Sequence, residues 1–203
     1  MIKIIDYGVG NIRAFANVYK ELDISVKIAH TVDCLENTSK IILPGVGSFD
    51  YAIQSLENSG MKDKIIDMVI NDKIPILGIC VGMQMLSESS EEGKLPGLGL
   101  IKGRVKKFEK QNTEITQIPH MGWNSVHNYS RNKLFLKLGS HPMFYFLHSY
   151  YLVCKNQEDM IASADYGIEF TAAVNKDNIY GIQCHPEKSH QNGIQVLNNF
   201  ALM

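Results

Sequence analysis

The chain has 203 residues, of which 45% are hydrophobic and 20% charged, and its formal net charge is −1. That length and balance predict one globular domain over residues 1–203 with an ample core, and near-neutrality excludes the basic surface of a nucleic-acid binder or of a protein drawn to acidic membranes. No apolar run approaches the roughly 18 residues of a membrane span, Met1-Ile2-Lys3-Ile4-Ile5-Asp6 turns charged too soon for a signal peptide, and four cysteines without CxxC spacing read as free thiols of a cytoplasmic protein.

In chain order, Ile2 to Ile5 predict a first strand ending in Asp6-Tyr7-Gly8-Val9-Gly10-Asn11, with Asn11 placed to cap the next helix. From Ile12, apolar residues recur at Phe15, Ala16, Tyr19 and Leu22, which is helical spacing. Ser25 to Ile28 and Lys40 to Leu43 read as further strands, the latter running into Pro44-Gly45-Val46-Gly47-Ser48. Helices are expected over Ser48–Leu56 and Met61–Ile70. Strand and helix alternating at this cadence predict βαβ units and a mostly parallel sheet. After Glu91-Glu92-Gly93 the texture changes. Short strand candidates at Arg104–Phe108, Met143–Leu147, Tyr150–Val153, Met160–Ala164, Thr171–Asn175 and Ile179–Gln183 have no long helices between them, so this half is expected to be antiparallel or mixed. Gln191 to Leu202 close the chain as a helix with Ile194, Leu197 and Phe200 on one face.

The most informative stretch is Lys73-Ile74-Pro75-Ile76-Leu77-Gly78-Ile79-Cys80-Val81-Gly82-Met83-Gln84. A short apolar run after proline suits a buried parallel strand. Gly-x-Cys-x-Gly at its end is the cysteine form of a nucleophile elbow, where a sharp strand-to-helix turn lifts one side chain above the sheet. Glycines 78 and 82 fit a turn with no room for a Cβ. The following helix is expected to favour the thiolate with its positive end. A small buried cysteine in a glycine-rich turn is the plainer alternative.

Tyr180-Gly181-Ile182-Gln183-Cys184-His185-Pro186-Glu187 offers what such a cysteine needs. On an extended chain Cys184 and His185 face opposite ways, which argues against a shared metal, whereas His185 and Glu187 lie on one side. The carboxylate can then steer one imidazole nitrogen while the other meets a thiol. A histidine and a glutamate idle at a strand end would look the same. Pro44-Gly45-Val46-Gly47 ends another strand, and its N–H groups, with that of Val81, could form an oxyanion hole; it could equally be only a turn.

Gly78-Ile79-Cys80-Val81-Gly82-Met83-Gln84, Cys184-His185-Pro186-Glu187-Lys188-Ser189 and the strand-end Pro-Gly-Val-Gly, in this order, resemble the class I (triad) glutamine amidotransferases, over essentially the whole chain. The resemblance implies a flavodoxin-like α/β fold: a mixed, mostly parallel sheet flanked by helices, with additional antiparallel strands in the C-terminal half. It implies Cys80 as nucleophile, His185 as base and then acid, and Glu187 as its orienter, with the oxyanion held by the backbone of Val46 or Gly47 and of Val81. Gly45, Gln84, Glu92, Ser149 and Tyr150 match positions around the substrate glutamine, Glu92 opposing its α-ammonium. No metal or organic cofactor is implied.

Ile4–Asn11, Ile118-Pro119-His120-Met121-Gly122-Trp123-Asn124 and Phe146-Leu147-His148-Ser149-Tyr150 resemble the branch of the family that delivers ammonia to a (β/α)8-barrel cyclase, which makes imidazole glycerol phosphate and AICAR in histidine biosynthesis. Trp123, Asn124, Tyr145 and Lys188 match positions at the face toward that partner. Ser189-His190-Gln191-Asn192-Gly193 departs from the family's usual pattern. The alternatives are the same glutaminase serving a sugar-aminating synthetase, a non-catalytic regulatory subunit, and a stand-alone peptidase or γ-glutamyl hydrolase. The glycines around the cysteine carry a further expectation: Gly45 and Gly47 make a peptide flip cheap, so the segment Pro44–Gly47 reorients when the partner is loaded.

Overall fold

The computed structural model describes residues 1–203 apart from 111–114, 116, 128, 130 and 131. Its first half alternates strand and helix: β1 (Ile2–Ile5), α1 (Ile12–Glu21), β2 (Val26–Ala29), β3 (Lys40–Gly45), α2 (Phe49–Asn58), α3 (Lys62–Ile70), β4 (Ile76–Cys80) and the short α4 (Val81–Met85). Every residue of β1 and β4 is buried, as strands covered on both faces of a parallel sheet must be. Ile4, Ile5, Ile41 and Ile42 are fully buried, and each contributes on the order of 2 kcal/mol by leaving water.

The second half holds β5 (Ser89–Ser90), β6 (Gly103–Lys107), β7 (His120–Ser125), β8 (Met143–His148), β9 (Tyr150–Cys154), β10 (Met160–Asp165), β11 (Glu169–Lys176), β12 (Ile179–Ile182) and α5 (His190–Leu202). Seven strands form the main sheet in the order β10-β11-β12-β4-β3-β1-β2. Those from β12 to β2 run parallel, and β10 and β11 add an antiparallel edge. The expected mixed, mostly parallel sheet with antiparallel strands from the C-terminal half is therefore borne out. Two smaller sheets, β5-β6-β9 and the antiparallel pair β7-β8, stand apart from it.

Four expectations need correction. Asn11 makes no side-chain cap; its backbone carbonyl accepts from the Ala14 N–H at 3.1 Å instead. The strand β7 is not among those the pattern predicts, because it carries a glycine and mixes buried with exposed positions. The strand β12 stops at Ile182, so Gln183 to His185 continue beyond it, and Glu187 sits on the 3₁₀ turn Pro186–Lys188. On α5 the buried face is Val196, Leu197 and Phe200 with Gly193 and Asn199, whereas Ile194 is only half buried. Asn199 is tolerated inside because its Nδ2 donates to the carbonyls of Leu134 and Leu136.

Candidate active site

In an open parallel sheet, ligands gather at the carboxyl ends of the strands, and here three such ends lie side by side. In the ladder Gly45, the last residue of β3, pairs with Cys80, the last of β4, and Ile182, the last of β12, pairs with Ile79. The chain beyond β3 carries Val46 and Gly47, and that beyond β12 carries His185. A cleft of about 310 Å³ opens there, lined by Val46, Gly47, Cys80, Val81, Gln84, Glu92, Pro119, Leu147, His148, Ser149, Tyr150, His185 and Lys188.

Cys80 stands at a strained turn, with φ 55 and ψ −114. Left-handed backbone at a non-glycine residue costs on the order of 1–3 kcal/mol and persists only where the surroundings enforce it. The enforcement is visible in the glycines. A Cβ on Gly78 would lie 2.6 Å from the Gly82 carbonyl oxygen, and one on Gly82 would lie 2.0 Å from that of Leu43. The elbow is thus wedged against both its own helix and β3. The helix that follows is short, five residues, so its dipole offers the sulfur less than the sequence leads one to expect.

His185 is buried, with Nδ1 3.0 Å from the Oε1 of Glu187, whose side chain is almost wholly enclosed. Burial works against a charged imidazole. Hydrogen bonds to the Cys80 sulfur and to the Glu187 carboxylate, with the negative charge of each, outweigh it and hold the pKa of His185 up at about 10. An imidazolium beside a sulfur favours the thiolate. The turn that carries the pair is locked: the Ser189 hydroxyl donates to the His185 carbonyl at 2.6 Å and accepts from the Tyr145 N–H at 2.9 Å. A Cβ on Gly193 would meet the Pro186 oxygen at 1.9 Å. The segment Ser189–Gly193 therefore serves the turn directly.

On the opposite wall, Gly45 is tight rather than loose. A Cβ there would lie 2.3 Å from the Gly82 nitrogen, and the carbonyl of Pro44 accepts from the buried Tyr7 hydroxyl at 2.6 Å. Gly45 does not line the cleft. Conformational freedom starts one residue later: Val46 is 41% exposed, and Gly47 has φ +84 with open space around it.

The expected glutamine contacts are placed unevenly. Glu92 lines the cleft and accepts from the Phe49 N–H at 2.9 Å, so it caps α2 from across the fold; burial, and then the nearby Asp50 charge, raise its carboxyl pKa despite that bond. Gln84 is buried, and its Nε2 donates to the Tyr150 carbonyl and to the Gln183 Oε1, both at 3.0 Å. The Tyr150 carbonyl also accepts from His148 Nδ1 at 2.8 Å. That carbonyl is consequently committed to the protein, and Ser149 accepts through its own carbonyl from the Phe108 N–H at 3.0 Å.

Trp123, Tyr145 and Lys188 do assemble on one face. The Trp123 and Tyr145 rings meet edge to face at 6.1 Å, and the Lys188 Nζ lies 5.6 Å from the Tyr145 centroid. Asn124, next along β7, points the other way, as alternation requires. Its Nδ2 lies 2.7 Å from the Asp165 carbonyl and 3.3 Å from His120 Nε2, and His120 Nδ1 lies 3.0 Å from His148 Nε2. Donor and acceptor alternate through this series only if both imidazoles are neutral. Burial holds them so, His120 at about 4 and His148, where burial again leads, at about 3.

Two residues carry no signal in the sequence. His190 stacks flat on Trp123, centroids 5.0 Å apart at 7°. Gln183, fully buried, brings its Nε2 to 3.7 Å from the Cys80 sulfur. Nothing in the spacing of either announces a role; only the ring-on-ring and amide-on-sulfur contacts do.

Residues 3–203 match the family described as glutamine amidotransferase class-I. This chain belongs to that family. It is 54% identical to the imidazole glycerol phosphate synthase subunit HisH of Leptospira interrogans and 53% identical to that of Bdellovibrio bacteriovorus, each over 99% of both chains. A crystal structure of a glutamine amidotransferase covers 100% of the chain with a TM-score of 0.77 at 16% identity, a likeness of fold alone. The expected family and fold are both borne out. Among the described residues no group of histidine, cysteine and carboxylate side chains could hold a metal, and no helix is long and apolar enough to cross a membrane.

Proposed function

We propose that this glutamine amidotransferase is the glutaminase subunit of an imidazole glycerol phosphate synthase, working in the cytoplasm as one half of a heterodimer with a (β/α)8-barrel cyclase. The observation that carries the chemistry is Cys80 and His185 lining one cleft, with the buried Glu187 carboxylate behind the imidazole. The thiolate of Cys80 attacks the carboxamide carbon of glutamine, and the negative charge that develops on oxygen is taken by backbone N–H groups at Val81 and at Val46 or Gly47. His185, charged and held by Glu187, gives its proton to the leaving nitrogen, so ammonia departs and a thioester remains. The imidazole then takes a proton from water, which hydrolyses the thioester to glutamate.

Glu92, with one oxygen spent on the N-terminus of α2, faces the cleft as the counter-charge for the substrate's α-ammonium. A single oxyanion donor is worth about 10²–10³ in rate, so the orientation of the stretch at Val46 and Gly47 is enough to hold the free subunit nearly silent. The partner docks on the face built from Trp123, Tyr145 and Lys188. Support for this partner comes from the full-length similarity to the HisH subunits; a sugar-aminating partner has no comparable support.

The test is the Cys80→Ala variant mixed with the cyclase. Turnover with glutamine should vanish while turnover with ammonium salts persists. Loss of both would make Cys80 structural. Unaltered glutamine turnover would end the glutaminase reading.

A further inference from the structure

The sulfur of Cys80 has a neighbour outside the triad. Gln183 Nε2 lies 3.7 Å away, and the sulfur also makes a long approach of 3.9 Å to the Leu147 carbonyl. Which end of the Gln183 amide faces the sulfur follows from its other partners. The Tyr150 carbonyl can only accept, so the end of Gln84 that meets it at 3.0 Å is the amino group. The second hydrogen of that group points at Gln183, so the Gln183 atom it meets at 3.0 Å is the carbonyl oxygen. The Gln183 amino group is then left facing Cys80.

We infer that Gln183 is a positioning residue for the nucleophile: its Nε2–H holds the sulfur in charged form and aims it into the cleft, with Gln84 fixing the amide's orientation from behind. A hydrogen bond to the charged form of an acid favours that form. The need is local. The helix after the elbow spans only five residues, and its N-terminus supplies little field. Gln183 can serve because it is fully buried and its backbone N–H is tied to the Ala172 carbonyl at 2.9 Å. It cannot swing away to water. The inference rests on the glutaminase reading of Cys80, and it adds a residue that the triad does not contain.

The experiment uses the full chain and reads the sulfur without reference to turnover: the rate of Cys80 alkylation by iodoacetamide as a function of pH, followed on the Cys80 peptide by mass spectrometry. Gln183→Met keeps the volume and removes the donor. Its profile should move up by about one pH unit, the size of one charge-assisted hydrogen bond, with roughly tenfold slower alkylation on the acid limb of the profile. Gln183→Glu keeps the shape, adds a negative charge beside the sulfur and should move the profile further in the same direction; it serves if the methionine variant fails to fold. A profile that either folded variant leaves in place overturns the role of Gln183. Failure of the wild-type complex to turn over glutamine would instead remove the glutaminase reading, and the two failures are read in separate assays.

Discussion

A Cβ placed on Gly82 would stand 2.0 Å from the carbonyl oxygen of Leu43. The start of the elbow helix is therefore pressed onto the backbone of the neighbouring strand, at the point where that strand leads into the proposed oxyanion segment. The proposed nucleophile and oxyanion donors are thus held together by a contact between two main chains.

This contact sets Gly82 apart from Gly47. Gly82→Ala must push apart backbone that cannot yield, at a cost of about 2 kcal/mol or more. The expected result is a thermal midpoint lower by roughly 5 °C and loss of glutamine hydrolysis in the complex. Gly47→Ala meets no atom and strains only its own φ of +84, a cost of about 1–2 kcal/mol. It should fold, and its effect should fall on kcat for glutamine with ammonia-dependent turnover unchanged. Equal effects of the two on stability would refute the distinction.

His185 gives the site its pH limits. Its folded pKa, raised to about 10, lies above the usual histidine value of about 6.5. The stability it contributes is complete below about pH 6.5 and is lost as pH rises through about 10. In the proposed mechanism the same proton is the acid for the leaving ammonia, so kcat/KM for glutamine should fall in that alkaline range. Glu187→Gln removes one of the two charges that raise the pKa. It should shift the alkaline limb downward and lower glutamine turnover by at least about 10². An unmoved limb in a folded variant would show that the carboxylate does not steer the ring.

The neutral pair His120 and His148 works in the opposite sense. Their folded pKa values of about 4 and about 3 are depressed. Stability should therefore be full above about pH 6.5 and fall as the medium is acidified toward about pH 4. Every pH unit by which burial keeps a ring neutral amounts to about 1.4 kcal/mol. Urea midpoints measured across that range should decline with a slope approaching two protons. A slope of one proton would mean that only one ring is held neutral, and a flat profile between those limits that neither is.

The face around Trp123 makes a contrast between neighbours. Trp123 is 45% exposed and stacked on His190, the setting of an interface anchor. Trp123→Ala should weaken binding of the cyclase by about 2 kcal/mol, roughly 30-fold in Kd. Asn124→Ala, one residue away and turned inward, should leave Kd within a few-fold while lowering the thermal midpoint, because it strips a partner from His120. Calorimetric titration with the cyclase decides between them.

Local chemistry was legible in the chain itself. The run Ile76–Cys80 is a strand because unbroken apolar residues need cover on both faces, Ile2–Ile5 because three isoleucines flank Lys3, and the glycines at 78 and 82 announce an elbow because nothing larger fits. Cys80, and His185 and Glu187 two apart, stood out beside their turns, but only the resemblance to the amidotransferases joined them into a triad, since an idle histidine and glutamate would look the same. What the folded chain alone decided are relations across long sequence distances. Gly45 is locked and Gly47 free, although both are glycines at the end of the same strand, because only Gly45 lies against the elbow. Asn124 faces a buried histidine and Trp123 faces outward because β7 exists, and its alternation depends on pairing with β8. Gln183 reaches the sulfur 103 positions away because β12 lies beside β4. Periodicity and spacing report what a residue does to its own stretch of backbone; which distant group it meets is set by strand order, and strand order is a property of the packed whole.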